Sequence, residues 1–135
     1  MTRLVAILAC LALTGCSAAH PQETKAVNLG VEVTLAPGAS VSSKTGEVSV
    51  RFVAVTEDSR CPRDVTCVWA GEVKVQLEIR ESTKPASTVE IRAGDSTVAG
   101  KYRLTLVRVE PQPVTAARIV PQDYRATLKI DAQGE

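Results

Sequence analysis

The chain has 135 residues, 16 Lys and Arg against 15 Asp and Glu, four Cys, one His and only 3% aromatics. That length fits one small domain with a modest core. The balanced charge argues against a nucleic-acid binder, which needs a basic face, and one His with few aromatics leaves little material for acid–base catalysis or base stacking.

The first element in chain order is an address. Met1-Thr2-Arg3 is a short positive segment, and Leu4 to Leu13 is unbroken apolar. About ten apolar residues are too few to span a bilayer as a helix but suit a signal peptide. The stretch ends in Leu13-Thr14-Gly15-Cys16, which resembles the lipobox of bacterial lipoproteins. The resemblance implies cleavage before Cys16, a diacylglyceryl group on its thiol and a stable membrane anchor. Residues 1–15 are then the signal peptide. Their removal takes Arg3 and leaves 15 basic and 15 acidic groups. Ser17, rather than Asp, follows the Cys, so in a Gram-negative cell the expected site is the outer membrane, facing the periplasm. Residues 16–28 read as the lipidated N-terminus and a polar tether. His20, alone within it, reads as solvated.

Residues 29–135 read as the folded domain. Val outnumbers Leu by 18 to 6 after residue 15, a bias toward strands because β-branched side chains pack well on a pleated surface. Apolar residues alternate along Leu29–Leu35, Val48–Ala54, Val73–Ile79, Val89–Ile91, Tyr102–Leu106 and Ala126–Ile130, which is the period of a sheet with one buried face. Val53 with Val55, and Val107 with Val109, fall on the opposite phase, which implies either strands covered on both sides or a bulge. Turn signals at Pro37-Gly38, Thr45-Gly46, Lys84-Pro85, Ala93-Gly94-Asp95 and Pro111-Gln112-Pro113 separate these runs. The expected fold is an all-β antiparallel sandwich, Ig-like or barrel-like, of six to eight strands. Within Pro111–Tyr124, the stretch from Val114 to Val120 reads as a short strand or a helical turn.

The least generic segment runs from Asp58 to Gly71, between a strand ending near Glu57 and one expected to run from Cys67 to Arg80. With Cys10 in the signal and Cys16 lipidated, Cys61 and Cys67 remain. In an exported protein the default for such a pair is a disulfide, here worth about 2 kcal/mol by loop closure. A metal site using Glu57, Asp58, Asp64 or Glu72 lacks zinc-like Cys spacing or a nearby His, and a redox pair favours a helix N-terminus. No metal or cofactor is expected. Pro62 fixes φ after the first Cys, Arg60 can pair with Asp58 or Asp64, Trp69 is expected to pack on the bridge or cap the core, and Gly71 suits a bulge or a close backbone approach.

The arrangement D-S-R-C-P, four residues, C-x-W-x-G resembles a group of small bacterial secreted proteins and lipoproteins, as does the Tyr102–Glu110 strand with the Pro111-Gln112-Pro113 that follows it. The resemblance implies an exported all-β domain and carries no catalytic residues with it. Two readings of the box stand side by side. As structure, Asp58 and Arg60 are paired and half-buried. As a recognition loop, Asp58, Arg60, Pro62, Arg63, Asp64 and Trp69 form an exposed patch held by the bridge, at lower ordering cost on binding. In a variant of the second, Arg63 enters the pocket of a trypsin-like hydrolase, as braced inhibitor loops do.

No nucleophile elbow, phosphate loop or folded-region His is present, and the Glu57/Asp58 pair suits a solvated strand end. The expected function is therefore a monomeric, non-catalytic interaction module. It contacts the membrane through the lipid on Cys16, with an envelope protein as possible partner. The alternatives are a periplasmic hydrolase inhibitor acting through the Cys61–Cys67 loop and a structural envelope protein.

Overall fold

The computed structural model describes residues 24–134. The expected signal peptide, the lipidation site at Cys16 and most of the tether lie outside the described residues.

Nine strands and one turn of 3-10 helix make up the described chain: β1 (Thr24–Val27), β2 (Glu32–Leu35), β3 (Ser40–Ser43), β4 (Val48–Asp58), β5 (Val73–Glu81), β6 (Ser87–Arg92), β7 (Ser96–Ala99), β8 (Tyr102–Glu110), the 3-10 turn Pro121–Asp123, and β9 (Arg125–Ala132). They form two sheets, one ordered β1-β3-β4-β5-β6 and the other β2-β9-β8-β7. Every pairing is antiparallel except β1 with β3, which is parallel. This is the all-β sandwich expected from the alternating pattern, with nine described strands rather than six to eight.

The alternation that marks the strands also builds the core. Val48, Val50 and Phe52 of β4 and Val73, Val75, Leu77 and Ile79 of β5 are buried on one sheet, and Leu104, Leu106 and Val109 of β8 with Ala126, Leu128 and Ile130 of β9 on the other. Burial of such side chains contributes roughly 1.5–3 kcal/mol each before conformational entropy is subtracted. Two buried hydroxyls are satisfied locally: Thr127 Oγ1 lies 2.9 Å from Thr34 Oγ1, and Ser43 Oγ lies 3.1 Å from Thr45 Oγ1.

The phase breaks in the sequence are bulges. The β4–β5 register shifts between Phe52 and Ala54 and again between Val55 and Glu57, and the β8–β9 register shifts between Leu106 and Arg108. Each extra residue turns the following side chains to the other face and increases local twist.

Three sequence expectations change. The expected tether through Asn28 ends earlier, because Thr24–Val27 adds to the sheet edge beside β3 and buries Val27. The second box strand starts at Val73 rather than Cys67. Val114–Val120 holds neither strand nor helix, and the helical turn falls at Pro121–Asp123.

Candidate functional site

The Asp58–Gly71 box closes one end of the sandwich. β4 ends at Asp58, and the chain turns so that Arg60 folds back over it. Arg60 Nε and Nη2 donate to the two oxygens of the Asp58 carboxylate at 2.8 and 2.7 Å, and Arg60 N adds a longer bond of 3.3 Å. Tyr124 OH, just ahead of β9, donates to Asp58 Oδ2 at 2.9 Å. The outer face of the guanidinium reaches the second sheet, where Nη1 donates to the Val109 carbonyl at 2.7 Å and Nη2 to the Pro111 carbonyl at 3.0 Å. A planar fork with fixed donors suits this task, because one side chain grips a carboxylate on one side and backbone carbonyls on the other. The result is a latch between the sheets, with the Arg60 and Asp58 side chains only 10% and 11% exposed.

Burial acts to raise the Asp58 pKa, but the hydrogen bonds and charge of Arg60, together with the Tyr124 hydroxyl, outweigh it and hold the carboxyl below its ordinary value. Tyr124 is pushed up to about 12, by burial first and then by its bond to the Asp58 carboxylate.

Beyond the latch the loop has a neck and a brace. Ser59 N donates to the Glu72 carbonyl at 2.8 Å, and the Ser59 hydroxyl accepts from Glu72 N at 3.0 Å. Gly71, just before Glu72, has φ +69°, and an added Cβ there would lie 1.8 Å from the Ser59 carbonyl oxygen. Both properties require glycine here. Cys61 N donates to the Ala70 carbonyl at 3.2 Å, and the expected Cys61–Cys67 disulfide is formed, with Cα atoms 5.9 Å apart. Arg63 N and Asp64 N donate to the carbonyls of Pro113 and Val114, each at 3.1 Å, so the box and the 111–124 loop are joined through their backbones.

The residues singled out in the sequence divide between the two readings. Asp58 and Arg60 belong to the buried latch. Pro62 is half-buried at the rim of a groove, while Arg63 and Asp64 are exposed. Trp69 corrects the expectation that it packs on the bridge or caps the core: it is 82% exposed, and its neighbour Val68 is 90% exposed. Val65, and Val114 on the bonded loop, are exposed as well. Sequence reasoning missed Tyr124, Val65, Val68 and Val114, because an apolar letter in a loop reads the same whether it faces the core or water.

The groove has a volume of about 690 Å³, and Val55, Asp58, Arg60, Pro113, Ile119 and Tyr124 are among its walls. Of the two carboxylates in its walls, Asp58 is engaged at both oxygens by Arg60 and at one by Tyr124, and Glu57 pairs with Lys74. Of the acidic groups weighed as metal ligands besides Asp58, Asp64 is exposed, and Glu57 and Glu72 are engaged in ion pairs: Lys74 Nζ lies 3.0 Å from both, and Arg92 bonds Glu72 at 3.1 Å. Hydrogen bonds to Glu57 and then Glu72 raise the Lys74 pKa. Among the described residues no group of three His, Cys, Asp or Glu side chains is placed to hold a metal ion.

The chain matches no protein-family model, no curated protein and no solved structure.

Proposed function

We propose that this protein is a cell-envelope module anchored by the lipid on Cys16, in the outer membrane facing the periplasm if the cell is Gram-negative, that works by non-catalytic binding at the box end of its sandwich. The observation that carries this reading is the pairing of a rigid base with an exposed apolar tip. Val68 and Trp69 stand in water on a loop fixed by the latch, the neck, the disulfide and two inter-loop hydrogen bonds. Folding gains nothing from leaving an indole in water, whereas binding gains from an aromatic side chain carried on a backbone that is already braced.

The hydrolase-inhibitor alternative draws its support from the same brace and from the exposure of Arg63 beside it. The experiment that separates the readings is crosslinking of the lipidated protein in its native envelope from a photoreactive group at Trp69 or Arg63. Adducts from either position support binding at this end, and their identity distinguishes hydrolase from other partners. Adducts from neither position overturn the recognition reading and leave a structural envelope role.

A further inference from the structure

We propose that the surface met by the box end is the bilayer itself: the disulfide loop rests in the membrane interface, with Trp69 and Val68 at headgroup depth. This rests on the Cys16 anchor of the preceding reading, and it draws on the direction of β1 and the length of chain ahead of it.

The strand directions set the geometry. β4 runs toward the box, β3 runs antiparallel to it, and β1 is parallel to β3, so the start of β1 faces the box end. The register places Thr24 level with Ser40, and Ser40 level with Arg51. From Arg51 to the end of β4 at Asp58, the paired strand β5 advances from Glu78 to Val73. Five residues at ~3.3 Å each put Thr24 about 17 Å short of the latch. Cys16 precedes Thr24 by eight residues, and a fully extended chain of that length spans at most about 26–29 Å. A chain continuing in the direction of β1 therefore brings the lipid only about 10 Å past the latch, about the three-residue rise from Asp58 to Cys61, whose N bonds the Ala70 carbonyl.

The composition of that end agrees. Five of the eight large hydrophobic side chains exposed among the described residues belong to its two loops: Val65, Val68, Trp69, Val114 and Val120. Tryptophan is the residue most at home where an apolar ring meets hydrated headgroups. The two loops, residues 59–72 and 111–124, carry Arg60, Arg63 and Arg118 against Asp64, Glu72 and Asp123, so no net charge draws them to the surface. The contact is apolar, and salt does not dissolve it.

Trp69 is the only Trp in the chain, so its fluorescence reports the contact directly. The lipidated protein is reconstituted in phosphatidylethanolamine/phosphatidylglycerol vesicles, with and without brominated lipids, and the mass of Cys16 is checked for the diacylglyceryl group. The expected result is a blue-shifted emission, protected from acrylamide, that loses most of its intensity to brominated lipids and does so equally in 1 M salt. A second reporter, Trp69→Phe with Leu29→Trp, places the indole at the opposite end of the sandwich and is expected to stay unquenched. A lipidated, vesicle-bound protein whose Trp69 emits as a water-exposed indole overturns the bilayer contact while the anchor stands. Quenching at position 29 instead reverses the orientation and also overturns it. A Cys16 without lipid removes the anchor and the contact built on it. A water-exposed Trp69 on vesicles that crosslinks to an envelope protein in cells assigns the end to that protein.

Discussion

Arg60 and Asp58 are two residues apart in sequence, yet their pairing ties the two sheets together. The guanidinium that grips the Asp58 carboxylate at 2.7 and 2.8 Å also takes the Val109 carbonyl at the end of β8. Breaking the pair leaves a nearly buried charge without its partner. Asp58→Ala is expected to destabilise the domain by about 2–4 kcal/mol, read from the urea midpoint. Arg60→Lys keeps the charge but not the fork and is expected to cost about 1–2 kcal/mol. A loss for both variants within the scatter of surface substitutions rejects the latch.

Tyr124→Phe removes one donor from Asp58 and leaves the ring in place. The expected cost is about 1 kcal/mol, together with an upward move of the Asp58 pKa, which NMR titration of that carboxyl reads.

Acid weakens the fold through three depressed carboxyls, one of them Glu72, held down first by Lys74 and then by Arg92. Asp58 is held down by Arg60 and Tyr124 against the effect of burial. Glu47 falls to about 2, held first by the Tyr102 hydroxyl, then by Lys101 and Thr45. A carboxyl whose folded pKa is depressed contributes stability above its unfolded value, and that contribution is lost as pH falls toward the folded value. Stability is therefore expected to hold from neutral pH to about pH 5 and to decline from about pH 4 to about pH 2. Tyr124 acts at the other extreme: with its pKa raised to about 12, its contribution is complete below about pH 10 and is lost as pH climbs past that. Chemical denaturation at stepped pH gives the profile, and Asp58→Asn is expected to flatten its acid limb.

Gly71→Ala and Gly46→Ala separate conformational strain from collision. Both glycines have positive φ, but a Cβ at Gly46 meets nothing within 4 Å, whereas one at Gly71 strikes the Ser59 carbonyl. Gly46→Ala is expected to cost about 1 kcal/mol. Gly71→Ala is expected to cost clearly more and to open the neck, seen as faster hydrogen exchange at the Ser59 and Glu72 amides.

Reduction of the Cys61–Cys67 bridge is expected to lower stability by about 2 kcal/mol by loop closure while the two sheets persist, because neither Cys lies in a strand. Circular dichroism with and without reductant checks this, and non-reduced peptide mapping checks the bridge.

The long strands were readable because β4, β5, β8 and β9 each repeat the apolar alternation several times. Three short strands were not. Ser40–Ser43 has one large apolar side chain, Val41, and Thr24–Val27 and Ser96–Ala99 likewise have one each, so their identity comes from the neighbour they pair with. The bulges were visible only as a choice, because the residues after a phase break look the same as a strand covered on both faces. In the box, the disulfide and the demand for Gly71 were visible as chemistry. The burial of Arg60 depends on carbonyls at Val109 and Pro111, about fifty residues away in the chain, which no local pattern encodes.

The parallel seam between β1 and β3 also has a mechanical consequence. A pull on the chain ahead of Thr24, directed toward the box end, runs along the axis of β1 rather than across it. The load falls on the whole four-residue ladder from Thr24 to Val27 at once, in shear. A strand attached through an antiparallel hairpin at this edge would be peeled one hydrogen bond at a time under the same force. The short N-terminal strand thus acts as a strain relief between the polypeptide ahead of it and the core of the sandwich.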